Sequence, residues 1–178
     1  DTKIQPNSIK MALNSLLPDD INILMAEYVS PEFHSRYSAK RKTYEYRILN
    51  MPESDVFLRR FTWHIKEDLD LIEMKKCLSM LAGTHDFSSF RSSGSSNINP
   101  VREMFRSELF ERDQEGTIRL TFEASGFLRH MVRNIVGTII DAGKGKITYA
   151  EFKEILEAHD RKRAGAKAPA QGLFLKMV

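Results

Sequence analysis

Apolar residues in this chain follow two rhythms that succeed one another without a regular repeat. A spacing near 3.6 predicts a helix over Ile9 to Leu17, with Ile9, Leu13, Leu16 and Leu17 on one side and Pro18-Asp19-Asp20 as the stop. The same spacing predicts a helix over Asp70 to Leu81, through Leu71, Met74, Leu78 and Leu81, with Gly83 behind it. Period-two alternation predicts strands over Ile21 to Val29 and Lys42 to Leu49. In the second of these, Tyr44, Tyr46 and Ile48 share one face. Glu103 to Glu111 and Thr117 to Ala124 flank Asp113-Gln114-Glu115-Gly116, which has the composition of a hairpin turn, and a last strand is expected over Leu173 to Val178. Thr148 and Glu151 are spaced as a capping box opening another helix, while Ser92 to Asn99 reads as a loop and His159 to Lys167 as basic and irregular. Strands and helices mixed in this way, without βαβ repetition, predict an α+β sheet with helices on one side.

The strongest helical stripe runs through Leu128, Met131, Val132, Ile135, Val136 and Ile139 and is expected to end around Gly143-Lys144-Gly145. Arg133 falls at its border, beside Arg129 and Ile140. A guanidinium at a half-dry border needs a carboxylate, a phosphate or a carbonyl as partner. Periodicity alone favours a snorkelling surface arginine.

Composition narrows the class. The chain has 178 residues with 42% hydrophobic content, enough for one compact domain or a domain plus part of another, and no apolar run of membrane-crossing length. Cys77 is the single cysteine, so no intrachain disulfide forms, and a reducing cytoplasm fits. The net charge of +3 is weak as a whole-molecule signal. Its distribution is uneven, because His34, Arg36, Lys40, Arg41, Lys42 and Arg47 interleave with Phe33, Tyr37, Tyr44 and Tyr46. Such a segment suits phosphates and unstacked bases together, and equally a solvated strand with ordinary tyrosines. Other constellations carry less. Adjacent His85 and Asp86 suit a loop anchor, His64, His130 and His159 lack metal-ligand spacing, and no P-loop lysine follows the Ser92 to Ser96 stretch. Arg161-Lys162-Arg163 suits a solvated run or RNA backbone contact.

Five blocks in order resemble one family, the bacterial tRNA pseudouridine synthases of the TruA type. Phe127 to Gly137 resembles its signature helix, and Phe33-His34-Ser35-Arg36-Tyr37-Ser38-Ala39 with Arg41 to Tyr46 and Asn50 resembles FHARFSA…RxYxYxIxN. Gly83 to Arg91 is similar to GxHDFTSFR, Pro100-Val101-Arg102 to SPxR, and Asp160-Arg161 with Ala168 to Leu175 to the DR…ApAeGLyL close. The resemblance implies a pseudouridine synthase fold: a mostly antiparallel sheet of ferredoxin-like type with helices packed on one side. Residues 1–30 would be the closing helix and strand of an N-terminal half, and 31–178 the C-terminal half.

What it implies chemically is isomerisation of uridine to pseudouridine in the tRNA anticodon arm, with no cofactor and no metal, by a cytoplasmic homodimer. Tyr44 would stack on the base, Leu173 would wall it, and Arg133 would orient a nucleophilic aspartate. His34, Arg36, Arg41, Lys42, Arg91 and Arg129 would meet RNA. Arg129 stands where the family more usually has His. The aspartate belongs to an N-terminal motif of the GRTDAGVHA type, and no such run occurs between Asp1 and Val178, so the chain is expected to begin after it and to be inactive alone. A non-catalytic RNA-binding module is the rival class. An RRM-type binder is a third, without the run of glycine and aromatics that RRMs carry.

Overall fold

The computed structural model describes residues 3–94 and 99–178, so part of the loop expected over Ser92 to Asn99 lies outside the described residues. The chain divides into two compact units, Asp1–Ser38 and Ala39–Val178.

In the first unit, α1 (Pro6–Leu16) opens with a proline whose missing N–H costs nothing at a helix start. The strand expected over Ile21 to Val29 does not form. The segment carries no regular secondary structure. Ile23 N–H instead donates to Asn14 Oδ1 (2.7 Å) and Ile23 O accepts from Asn14 Nδ2 (3.0 Å), so one side-chain amide satisfies both backbone groups. Alternation without a partner strand is not enough to make a ladder.

The second unit is built on β1 (Lys42–Asn50), β2 (Trp63–Ile65), β3 (Gly83–Asp86), β4 (Val101–Phe110), β5 (Thr117–Ala124) and β6 (Leu173–Met177). The order is β2-β1-β5-β4-β3, with β6 also beside β1. One edge of β1 pairs antiparallel with β5, setting Tyr44 opposite Phe122, Tyr46 opposite Leu120 and Ile48 opposite Ile118. Its other edge is shared by β6, antiparallel over Thr43 to Tyr46, and by β2, parallel over Ile48 to Asn50. β4 and β5 form the expected hairpin, closed by Gly116 N–H on Asp113 O at 3.0 Å. β2 and β3, of three and four residues, are too short to show alternation and were not foreseen.

Tyr46, Ile48, Leu120, Phe122 and Met104 bury their side chains against α2 (Leu71–Ser79), α3 (Met131–Gly143) and α4 (Tyr149–Glu157) in one core. Local chemistry starts these helices where the sequence suggests. Asp70 Oδ1 accepts from Glu73 N–H at 2.9 Å, and Thr148 with Glu151 makes the full capping box. The start of α3 differs from expectation: Leu128 and Arg129 precede it, and His130 caps it in the left-handed region at φ 59°. Nor is α3 a one-sided stripe, for Asn134 and Thr138 on its far side are also fully buried. They are tolerated because Asn134 Nδ2 donates to Phe90 O (2.8 Å) and Thr138 Oγ1 to Asn134 O (2.9 Å). Among the described residues no helix is long and apolar enough to cross a membrane.

Candidate active site

A cavity of about 350 Å³ opens where the middle of β1, the start of β6 and the N-terminal end of α3 meet. Tyr44, Leu173, Arg133 and Arg129 all line it, together with Phe127, Leu128, His130, Met131, Val132 and Ala170. Tyr44 reaches it because alternation puts Tyr44 on the same face as buried Tyr46. Phe127 braces the Tyr44 ring edge-on at 5.0 Å between centroids. Leu173 reaches it because the chain closes tightly on β1 just before it: a Cβ on Gly172 would lie 2.8 Å from both the Tyr46 ring and Arg47 O. Beneath the site the Tyr46 hydroxyl donates to Pro169 O at 2.7 Å, and burial pushes its pKa well above the ordinary phenol value, with Arg133 pulling the other way.

Arg133 is held by the backbone that crosses α3. Its Nε donates to Ala168 O (2.7 Å), and Ala168 N–H returns a bond to Arg133 O (3.0 Å). Both bonds require residues 164–168 to lie directly on the helix, which Gly137 permits because its α-carbon bears no side chain against Ala166 O. Locked through Nε, the guanidinium keeps its Nη donors for another acceptor. No carboxylate lines the cavity among the described residues.

Charge in the cavity is therefore one-sided. His130 has a buried Nδ1 with no partner among the described residues. Its pKa is lowered by burial, then by the neighbouring charges of Lys167, Arg133 and Arg129, all of which disfavour the charged ring. Arg129 turns to the preceding loop, its Nη1 donating to the carbonyls of Ser93 and Gly94 at 3.2 Å each. Helical spacing from residue 127 onward gives no sign of His130, which has a left-handed backbone (φ 59°) and lines the cavity. Lys167 gave no signal beyond belonging to a basic run.

Within the second unit, Arg41, Lys42 and Arg91 do not line the cavity. Arg41 is exposed, 3.1 Å from Glu123, and stacked 4.5 Å over the Phe105 ring, so its charge is already partnered. Lys42 is half-buried on the Tyr44 face of β1 and forms no ion pair among the described residues. Arg47 pairs with Glu45 at 2.7 Å and lies over Phe174. Arg91 is half-buried after the Ser88–Phe90 turn, and His34 and Arg36 sit on an exposed turn of the first unit. His85 and Asp86 act as anchors: His85 Nε2 is 2.9 Å from Ala82 O, and Asp86 Oδ1 accepts Ser88 N–H at 2.8 Å. Among the described residues no cluster of three or more His, Cys, Asp or Glu is placed to hold a metal ion.

A mostly antiparallel α+β sheet with its helices on the core face is the architecture of the pseudouridine synthases. A family model described as tRNA pseudouridine synthase matches residues 78–178. A tRNA pseudouridine synthase A of Thermoanaerobacter sp. (strain X514) is 47% identical over 175 residues, covering 98% of this chain and 71% of that protein. One from Ruminiclostridium cellulolyticum is 40% identical over 178 residues, 100% of this chain and 72% of that protein. A tRNA pseudouridine synthase A 2 of Bacillus anthracis is 36% identical, with the same two shares. The chain belongs to the tRNA pseudouridine synthase A family.

Proposed function

We propose that this chain forms the base-binding side of an active site that isomerises uridine to pseudouridine in the anticodon arm of tRNA, acting in the cytoplasm as part of a homodimer. The observation that carries the reading is the convergence of Tyr44, Arg133 and Leu173 on one cavity from three separate elements. In the reaction the bond from ribose C1′ to uracil N1 breaks, C1′ joins C5, the C5 hydrogen leaves as a proton, and N1 ends protonated. Tyr44 stacks on the extruded base, a contact worth about 1–3 kcal/mol, which offsets part of the few kcal/mol of unstacking. Leu173 closes the apolar side. Arg133, fixed through Nε, offers its Nη fork to a nucleophilic carboxylate and keeps it ionised and aimed. That carboxylate comes from outside these 178 residues, so the chain alone binds RNA without turning it over.

The test joins this chain to a segment of the GRTDAGVHA type and supplies tRNA transcripts carrying tritium at uridine C5. Tritium is expected in water from anticodon-arm uridines only. Arg133→Ala should abolish release while RNA affinity changes little, and Arg133→Lys should restore only part of it. Release from other arms contradicts the substrate assignment, and an equal loss of RNA binding moves Arg133 to the phosphate surface.

A further inference from the structure

The turn over residues 33–38 is held together without help from its most prominent side chains. Ser38 N–H donates to His34 O (2.8 Å), and His34 N–H donates to Ser38 Oγ (3.0 Å). Inside that loop, His34 Nδ1 accepts the N–H groups of both Arg36 (3.1 Å) and Tyr37 (3.3 Å). A nitrogen accepting two amides carries no proton, so the ring proton is on Nε2. The amides of His34, Arg36, Tyr37 and Ser38 are satisfied within the turn, and none of these bonds uses the Arg36 or Tyr37 side chain. Tyr37 is 75% exposed, a large value for so much apolar surface, and its hydroxyl has no partner among the described residues. Its ring is nonetheless oriented: the His34 ring lies 4.4 Å away at 43°, and the Arg36 guanidinium carbon is 5.6 Å from its centroid.

We propose that Tyr37 is a stacking platform for an unpaired base of the RNA, with Arg36 beside it for the adjoining phosphate and His34 as the positioning residue that closes the turn beneath both. This rests on the tRNA reading above and adds a second base contact, in the first unit, to the one assigned to Tyr44. An aromatic ring fixed at its base and bare on its surface fits a nucleobase face, which any base presents. A neighbouring cation that has no carboxylate partner among the described residues fits the phosphate. A peptide partner would call for an apolar groove, whereas the turn offers one ring and one charge.

The test measures binding of the full chain to an unmodified tRNA transcript across a salt series. Parent binding is read first: without it, both this assignment and the tRNA reading fall. Given parent binding, Tyr37→Ala should weaken affinity roughly tenfold to a hundredfold with the salt slope unchanged, while Tyr37→Phe matches the parent. Arg36→Ala should reduce the slope by about 1. His34→Ala should lose affinity, and His34→Asn should regain it, because the Asn Oδ1 stands where Nδ1 accepts the two amides. Unchanged affinity in Tyr37→Ala overturns the platform and leaves the tRNA reading standing. Failure of His34→Asn to rescue overturns the positioning role and makes Nε2–H a direct contact. The Tyr37 side chain holds no part of the turn, so its variants keep the fold.

Discussion

Gly137→Ala is the perturbation whose size the geometry defines best. On an ordinary helix the change would stabilise by about 1 kcal/mol, since alanine is the better helix former. Here the new Cβ would lie 1.7 Å from Ala166 O, 2.9 Å from Ala166 C and 3.3 Å from Ala168 N, three backbone atoms that cannot rotate away. Ordinary contact needs residues 164–168 to retreat by roughly 1.5 Å, and overpacking of this kind costs about 1–3 kcal/mol. The same retreat breaks Arg133 Nε to Ala168 O, Ala168 N–H to Arg133 O and Gly165 N–H to Thr138 Oγ1. Each neutral bond contributes about 0.5–1.5 kcal/mol and the charged one about 1.5–3. Against the helical gain, and with partial relaxation, the net expectation is a destabilisation of about 2–4 kcal/mol. Urea denaturation should show it as a lower midpoint at unchanged m. Gly126→Ala is the control, because its Cβ meets nothing closer than Arg102 Nε at 3.5 Å and should stay within about 0.5 kcal/mol of the parent. A Gly137→Ala chain as stable as the parent would refute the claim that backbone contact on α3 sets Arg133.

Replacing Arg41 and Lys42 together by alanine should reduce the salt slope of RNA binding by about 1 rather than 2, since Glu123 already partners Arg41; a drop near 2 would show that RNA strips Arg41 from that pair. Stability should also depend on pH through His130. Its imidazole sits below the ordinary 6.5 in the folded chain, first through burial and then through Lys167, Arg133 and Arg129, so the unfolded chain binds the proton more readily. That contribution is neutral above 6.5 and turns against folding as pH falls through it, and His130→Asn, which tolerates the left-handed φ, should flatten that part of the profile. An equally steep profile in the variant would assign the slope to other groups.

Elements with strong local codes were legible in the sequence. Alternation gave β1 and the β4–β5 hairpin, and Asp70 and Thr148 announced their helices through capping chemistry. Where partners in space decide, the pattern misled. Ile21 to Val29 alternates like a strand yet finds an asparagine side chain in place of a neighbour, and Phe127 to His130 has helical spacing but is turned by one left-handed residue. The buried polar face of α3 was hidden for the same reason, since Asn134 is satisfied by Phe90, distant in sequence. In the site, Tyr44, Arg129, Arg133 and Leu173 were found through the wording of the family blocks, because nothing in a period locates one tyrosine or leucine at a cavity. His130 and Lys167 carry no such wording; the charge of Lys167 acts on His130 where residues 164–168 dock on α3.

The central claim is that these residues hold the uridine while the reacting carboxylate lies outside them. Incubating the 178-residue chain with tRNA labelled with tritium at uridine C5, and measuring RNA binding and tritium release on the same sample, tests it most directly. The account predicts salt-sensitive binding, weakened roughly tenfold or more by Tyr44→Ala, with no tritium released above the protein-free control. Sustained release by the chain alone would contradict it, placing the catalytic carboxylate within Asp1 to Val178.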